Sequence, residues 1–176
     1  MTSVPDRVLV YGVTGSGKST LAARIAERTG LPYVSADDLT WLPGWVAVPD
    51  EEQARRIAEV CAGERWVLDA AYSRWKDIVL PRAELIVGLD YPRWLSLGRL
   101  VRRTALRSLT RERICNGNVE SFRQMFSADS IIRWHFASFA RKRARIREWA
   151  ASPPGPAVVR LTSARETRRW LATLGG

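Results

Sequence analysis

The chain has 176 residues, of which 46% are hydrophobic and 26% charged, and this composition suits one soluble globular domain with a sizeable core. The first residues lack the pattern of a secretory signal, and no apolar run approaches the roughly 18 residues that a membrane helix needs. The two cysteines, Cys61 and Cys115, are too far apart in the sequence for a metal-spaced pair, so reduced thiols in a cytoplasmic protein are expected.

The net charge of +10 is concentrated in one segment. Residues 99–147 contain thirteen basic and three acidic residues, so the excess of this segment equals that of the whole chain. A solvated basic face is the simplest interpretation. A segment this one-sided more often meets an anion, which is either a phosphate-bearing ligand or nucleic acid.

The predicted elements alternate between short apolar strands and amphipathic helices. Two helices begin with a predicted capping box, formed by Asp50 with Gln53 and by Ser163 with Glu166. In chain order, the predicted elements are strand 7–12, helix 17–30, strand 31–35, helix 49–63, strand 65–71, strand 83–90, a long helix from about Pro92, strand 157–161 and helix 163–174.

This alternation predicts an α/β fold in which helices cover both faces of a five-stranded parallel sheet. The basic segment, about 102–147, contains no predicted strand. It is therefore interpreted as a helical insertion between the fourth and fifth strands of a single domain that spans residues 1–176.

The stretch GVTGSGKS at 12–19 fits the phosphate-loop pattern G-x-x-x-x-G-K-[ST] and lies between a predicted strand and a predicted helix. Small residues let the backbone N–H groups and the helix N-terminus surround a phosphate chain. Lys18 would reach the β- and γ-phosphates of ATP, and the Ser19 hydroxyl would bind Mg²⁺. The predicted nucleotide-binding residues in the loop are Gly12, Thr14, Gly15, Ser16, Gly17, Lys18, Ser19 and Thr20.

Two aspartates follow apolar strands. Asp69 ends the third predicted strand, which is the position from which a Walker-B carboxylate orients Mg²⁺, although aspartate is also a common turn residue. Asp90 ends the fourth strand, and here a turn into a helix that starts near Pro92 is the favoured, structural explanation.

The chain resembles the small P-loop kinases of the adenylate kinase and shikimate kinase type, and among them the bacterial adenylate kinase-related sequences labelled DNA topology modulation proteins. Related sequences read D-G-N-Y where this chain has DAAY, so Ala70 and Ala71 depart from the pattern. The stretches that carry the resemblance are GVTGSGKST, ADDLTWLPGW, WVLDAAYSR, LDYPRWLSLGRLVRR and LTSARETRRWL.

The resemblance implies the strand order 2-3-1-4-5 and a mobile lid. It also implies that Arg99 stacks on the adenine and that Arg103 contacts the transferred phosphoryl group, and the two lie at i and i+4 on one predicted helix. Arg133 is similar to a second lid arginine, and Arg123 is a weaker candidate. His135, the only histidine, is expected to pack or face water rather than act as a base.

The acceptor side differs from that of adenylate kinases. Trp41 stands where they carry an arginine that grips the acceptor's phosphate, whereas hydroxyl-phosphorylating relatives use an aspartate after the second strand. Asp37, in preference to Asp38, is therefore predicted to bind an acceptor hydroxyl and take its proton; the alternative is that Asp37 caps the following turn. Trp41 and Trp45 would form an apolar wall for the acceptor or join the core, and the core is favoured for Trp45. Arg74 is similar, one residue off, to an arginine after the third strand of adenylate kinases and would bind an anionic group.

The leading hypothesis is thus an ATP- and Mg²⁺-dependent phosphotransferase that acts on a hydroxyl of a small metabolite. A nucleoside monophosphate kinase is the variant within the same class. The rival class is a nucleotide-binding regulatory protein that contacts DNA through the basic segment, although no helix-turn-helix or zinc pattern supports it.

Overall fold

The computed structural model describes residues 5–70, 73–110, 113–114, 116–119, 131–151 and 155–174. None of the helices within these ranges is long and apolar enough to cross a membrane. The strands are β1 (Arg7–Gly12), β2 (Tyr33–Ser35), β3 (Trp41–Leu42), β4 (Val46–Ala47), β5 (Trp66–Ala70), β6 (Leu85–Leu89), β7 (Arg113–Ile114), β8 (Asn118–Val119) and β9 (Ala157–Leu161). The helices are α1 (Lys18–Thr29), α2 (Ala36–Thr40), α3 (Asp50–Ala62), α4 (Lys76–Val79), α5 (Arg93–Thr110), α6 (Ile131–Ala151) and α7 (Ala164–Ala172).

Five parallel strands form the central sheet in the order β2-β5-β1-β6-β9. Counted among the sheet strands alone, this is the predicted order 2-3-1-4-5, and the strand numbers along the chain differ only because two short hairpins were not predicted. The α/β fold with a five-stranded parallel sheet is confirmed. All five strands end at one edge, and in a parallel sheet this carboxyl edge is where ligands bind.

Helices cover both faces of the sheet, because the strand residues alternate between two core clusters. Val8 and Val10 of β1 face α1 and α7, whereas Leu9 and Tyr11 face the side covered by α3, α4 and α6. Cys61 is buried in the second cluster as a free thiol. Cys115 lies outside the described residues.

One of the two predicted capping boxes is wrong. Helix α3 begins at Asp50 itself, with Pro49 at the cap position and no side-chain cap hydrogen bond, because the fixed φ of Pro49 starts the helix one residue earlier. Gln53 instead donates from Nε2 to the Val48 carbonyl at 2.6 Å. At α7, the Ser163 hydroxyl accepts from the Glu166 N–H at 3.2 Å, as the capping-box prediction requires.

The basic segment is not purely helical, which corrects the sequence-based expectation. Strands β7 and β8 form an antiparallel hairpin within it, and the turn contains Asn116 and Gly117 at φ values of 63° and 88°. Asn-Gly is a strong hairpin signal because both residues accept a positive φ. The signal was therefore present in the sequence but hidden by strands of only two residues each.

Helix α6 is fixed against the sheet at the end of β6. Asp90 is buried and binds the guanidinium groups of Arg143, Arg147 and Arg160, the last two at 3.1 and 2.8 Å. Burial alone would raise the pKa of Asp90, but the hydrogen bonds from Arg147, Arg143 and Arg160 lower it below its usual value. Asp90 therefore serves to join α6 and β9 to the carboxyl edge of the sheet.

Candidate active site

The loop between β1 and α1 has the backbone of a phosphate-binding loop. Gly15 and Gly17 adopt φ values of 82° and 95°, which side chains rarely tolerate. A Cβ atom on Gly15 would lie 2.3 Å from the Ser96 carbonyl oxygen and 2.8 Å from Leu100 Cβ, so α5 packs directly on the loop. The glycine at this position is required both by the turn and by the close approach of α5.

The rest of the loop is equally compact. A Cβ atom on Gly12 would lie 2.8 Å from Ser16 Oγ and 3.1 Å from Leu89 Cβ. Ser16 is buried, and its Oγ has no hydrogen-bond partner within the described ranges. Thr14 is half-buried, and Thr20 is exposed in the first turn of α1. A buried hydroxyl at the N-terminus of a helix fits an anion at this point.

Lys18 lies within the loop and is 8% exposed, with Nζ 3.2 Å from the Val13 carbonyl oxygen that it donates to. Burial lowers the pKa of Lys18, while the negative charges of Asp69 and Asp37 raise it and Arg103 lowers it further. The carboxylates and the arginine therefore face the lysine from other elements. A desolvated cation held in this way is suited to a phosphate.

Ser19 and Asp69 are brought together as the sequence predicts. Asp69 lies one residue before the end of β5, is 5% exposed and hydrogen-bonds the Ser19 side chain. The Tyr33 hydroxyl also donates to Asp69 Oδ2, at 3.4 Å. Burial raises the pKa of Asp69, and burial together with Asp69's charge raises the pKa of Tyr33 to about 12. A hydroxyl and a carboxylate beside a phosphate loop form an oxygen donor set that fits Mg²⁺.

Tyr33 was not identified from the sequence. Its ring belongs to a short edge strand that reads as ordinary β structure, and only the register of β2 against β5 brings its hydroxyl to Asp69.

Asp37 and Asp38 have different surroundings. Asp37 is half-buried in α2, and its charge acts on Lys18 and on Asp69, whereas Asp38 is exposed. Ser35 is at the N-cap position of α2, and Asp37 lies in the first turn of this helix. Asp37 is therefore the carboxylate that faces the phosphate loop.

The two tryptophans that follow α2 in the chain, Trp41 and Trp45, form an aromatic pair. Trp41 and Trp45 lie edge to face with ring centroids 5.8 Å apart, at the ends of the β3–β4 hairpin. Trp45 is half-buried and belongs to neither core cluster, so its assignment to the core is wrong. The turn at Gly44 and Trp45, with φ values of 80° and 58°, directs the second ring onto the first.

The β7–β8 hairpin is bonded to the β3–β4 hairpin. The Trp45 N–H donates to Asn118 Oδ1 at 2.8 Å, and Asn118 Nδ2 donates to the Leu42 carbonyl at 3.0 Å. Asn116 Nδ2 donates to the carbonyls of Asp38 and Trp41 at 2.9 and 2.7 Å. Two asparagines of the basic segment thus hold the loop that follows Asp37, a contact that sequence reasoning did not find.

The predicted arginines are only partly gathered at the loop. Arg99 Nη1 donates to the Ser16 carbonyl at 3.2 Å, and its guanidinium lies over the Tyr91 ring at 5.2 Å. Arg103, one turn further along α5, acts on the pKa of Lys18. Of the two predicted arginines of α5, Arg99 therefore contacts the phosphate loop directly, and Arg103 acts on it through its charge.

Arg133 and Arg74 are not placed beside Lys18 by any of the contacts above. Arg133 is exposed in the first turn of α6. Arg74 is also exposed and pairs with Asp50 at 2.5 Å, with its guanidinium 5.7 Å from the Trp75 ring centroid. Their roles stay predictions. Arg123 and Ala71 lie outside the described residues.

Solved structures of small kinases have the same fold as this chain. A sugar kinase from Janibacter sp. HTCC2649 is 21% identical, with a TM-score of 0.55 over 96% of this chain and 94% of that chain. A gluconokinase from Sinorhizobium meliloti 1021 is 19% identical, with a TM-score of 0.56 over 97% and 94%. A shikimate kinase from Bacteroides thetaiotaomicron is 14% identical, with a TM-score of 0.57 over 94% of each chain.

Two curated adenylate kinases match a short stretch of the sequence. An adenylate kinase from Pyrococcus furiosus is 59% identical over 32 residues, which are 18% of this chain and 14% of that protein. One from Pyrococcus horikoshii is 56% identical over the same share of each chain. The match thus spans about a seventh of the curated relatives' own length. No protein-family model matches the chain. The comparisons establish the P-loop kinase fold.

The contact between the two hairpins leads to a prediction. Asn118 is 3% exposed, and Asn118→Ala removes both of its bonds to the β3–β4 hairpin. We expect the Val48 amide, whose own bond to the Thr40 carbonyl is untouched, to exchange about 5- to 30-fold faster, since each lost bond is worth about 1 kcal/mol.

Native-state hydrogen exchange followed by NMR measures this effect. Leu109→Ala, at an exposed position of α5, is the matched control and should leave Val48 exchange unchanged. Equal Val48 exchange in wild type and Asn118→Ala would show that the hairpin does not hold the loop.

Proposed function

We propose that the protein is an ATP- and Mg²⁺-dependent phosphotransferase that moves the γ-phosphoryl group of ATP to a hydroxyl of a small metabolite. The observation that carries this proposal is the position of Lys18. It lies buried in a phosphate loop and interacts with the charges of Asp69 and Asp37, which come from two neighbouring strand ends.

The loop and its neighbours would bind the nucleotide. The backbone of the loop surrounds the phosphate chain, and Lys18 contacts its β- and γ-phosphates. Ser19 and Asp69 would hold Mg²⁺, which neutralises developing charge when bound. Arg99 would stack on the adenine, while Arg103 and Arg133 would stabilise the transferred phosphoryl group. Arg99 and Arg103 already face the loop.

The acceptor would bind between α2 and the hairpins. Asp37 accepts a hydrogen bond from the acceptor hydroxyl, aligns its oxygen with the γ-phosphorus and takes its proton as the new bond forms. Trp41 offers an apolar wall to the carbon skeleton. Arg74 would exchange its exposed partner Asp50 for an anionic group of the acceptor.

The named structural neighbours support a hydroxyl acceptor over a phosphate acceptor. Gluconokinase and shikimate kinase take their names from hydroxyl-bearing acids. The adenylate kinase matches favour a nucleoside monophosphate instead, but they cover only 32 residues. Trp41, in the position where adenylate kinases carry an arginine, favours the hydroxyl acceptor.

The domain organisation belongs to the same proposal. The chain would form one P-loop kinase domain in which residues 102–147 act as a lid over both substrates. The resemblance to DNA topology modulation proteins suggests DNA as another partner of this segment. Three arginines between residues 99 and 147 have partners within the protein, however, and this favours the kinase. Arg99 contacts the phosphate loop, and Arg143 and Arg147 bind Asp90.

Lys18→Ala should abolish nucleotide-dependent stabilisation without unfolding the protein, because it removes the cation that meets the β- and γ-phosphates. Mg·ATP at ~100 times its dissociation constant should stabilise the wild type by about 2.7 kcal/mol. Thermal unfolding with and without Mg·ATP measures this difference. Lys76→Ala, which removes an exposed lysine paired with Asp77, is the control and should retain the shift. An undiminished shift in Lys18→Ala would disprove nucleotide binding by this loop.

Asp37→Asn should keep Mg·ATP affinity but reduce acceptor phosphorylation by about 10²- to 10⁴-fold, the usual contribution of a general base. Asp38→Asn is the matched control, since its carboxylate is exposed, and should change the rate much less. Steady-state kinetics with the best acceptor decides between them. A greater loss of rate in Asp38→Asn than in Asp37→Asn would show that the general base is Asp38 and that the assignment to Asp37 is wrong.

A further inference from the structure

The inward face of α6 carries polar residues that no predicted role explains. The His135 Nε2 and Ser96 Oγ atoms are 3.0 Å apart, which joins α6 to α5. Three turns further along, Ile146 packs so closely on β6 that a Cβ atom on Gly88 would lie 2.6 Å from its Cγ2. The buried residues of this face are His135, Ser138, Phe139, Lys142 and Ile146.

Lys142 lies between these two attachment points. It is 1% exposed, and within the described ranges its Nζ has no hydrogen-bond partner. The amino group lies 5.9 Å from the ring centroid of Trp134, two turns towards the start of α6. The side chain therefore extends from the level of Asp90, which binds Arg143, towards the region beyond the carboxyl edge of the sheet.

The charges around Lys142 are those of the candidate active site. Burial, together with the charges of Lys18 and Arg141, lowers the pKa of Lys142 to about 7, although the charges of Asp37 and Asp69 act to raise it. The charge of Lys142 in turn helps to lower the pKa of His135. Lys142 thus interacts through its charge with Lys18 and both carboxylates, while within the described ranges its Nζ forms no hydrogen bond with them.

A purely structural lysine does not account for this arrangement. Burying an amino group without a hydrogen-bond partner is unfavourable, and a methionine would fill a similar space without that penalty. An anion between Lys142 and Lys18 would supply the missing partner, and it would offset the repulsion between the two cations.

We propose that Lys142 is a further phosphate-binding residue of this site, whose buried and unpartnered amino group donates to the phosphate chain from α6. The inference rests on the proposed function, since that chain is the one bound by Lys18. Above about pH 7, the amine of the ligand-free protein takes up one proton from solvent on binding and becomes an ammonium that donates to phosphate oxygens. Lys142 then acts from α6 as Arg103 does from α5.

The sign of the pH dependence follows from this change. Below about pH 7, Lys142 is already protonated in the ligand-free protein, so binding takes up no proton there. Above that pH, bound phosphate raises the pKa of Lys142 towards its ordinary value. Nucleotide affinity therefore falls by up to about tenfold per pH unit until the pKa of the bound state is reached.

Titration calorimetry of Mg·ATP binding, without acceptor, measures the proton uptake directly. The uptake is obtained at pH 8.5 in two buffers that differ in ionisation enthalpy. Lys142→Arg keeps a permanent charge, so we expect it to take up about one proton fewer than the wild type. The comparison cancels the titration of the nucleotide and of Lys18. Lys76→Met, at an exposed lysine, is the control and should match the wild type.

The neutral variant tests the contact itself. Lys142→Met should weaken Mg·ATP binding by about 10- to 100-fold at pH 6.5, the usual effect of a lost charge-assisted hydrogen bond, and by less at pH 9. A structural role would not produce this dependence on pH. The variant should unfold at the same temperature as the ligand-free wild type or a higher one; if it does not fold, proton uptake by Lys142→Arg still decides.

Two outcomes would overturn the inference, and they are distinct from failure of the proposed function. Equal proton uptake by wild type and Lys142→Arg would exclude the protonation step, and unchanged affinity in Lys142→Met at pH 6.5 would exclude the contact. If Lys18→Ala still abolishes binding in either case, only the inference fails. If Lys18→Ala binds Mg·ATP like the wild type, the proposed function fails as well.

Discussion

The close packing of α5 on the phosphate loop is the constraint on which the site depends. The Ser96 carbonyl and Leu100 occupy the space where a side chain on Gly15 would be. This contact brings Arg99 to the Ser16 carbonyl and places Arg103 near Lys18. Ser96 also meets His135, so the same segment of α5 positions α6 and with it Lys142. A larger residue in place of Gly15 would therefore move α5 and α6, with their basic side chains, away from the phosphate loop.

The buried ionisable groups differ in the direction of their pKa shifts. Lys18 and Lys142 are desolvated amino groups with lowered pKa values, and Asp69 is a desolvated carboxyl group with a raised pKa. Such paired perturbations cluster at functional sites, because a bound ligand supplies charges that stabilise the ionised forms of these groups. At Asp90, by contrast, the carboxylate has its arginine partners and a lowered pKa, which is the pattern of a structural contact. Asp69 in β5 and Asp90 after β6 thus have opposite pKa shifts, which indicates that only Asp90 has the charged partners of a structural carboxylate.

Sequence patterns predicted the parts of the molecule that local chemistry determines. The five sheet strands, the phosphate loop and the Gly30 end of α1 follow from apolar runs and glycine spacing. The two hairpins were not predicted because strands of two residues show no periodicity. Trp45 was assigned to the core because its sequence position does not reveal the positive φ with which the turn directs its ring towards Trp41. The nearness of Tyr33 to Asp69, and of Lys142 to Lys18, depends on strand register and helix placement. Such contacts between distant segments leave no local pattern.

The central claim is that this site phosphorylates a hydroxyl. Phosphorus NMR of the protein incubated with Mg·ATP and a panel of sugar acids, polyols, shikimate and nucleoside monophosphates tests it most directly, because phosphomonoester and diphosphate products give separate signals. The account predicts a new phosphomonoester signal with one of the hydroxyl-bearing acceptors, and its loss in Lys18→Ala. Diphosphate formation from a nucleoside monophosphate alone, or no transfer to any acceptor together with salt-dependent binding to duplex DNA, would contradict it.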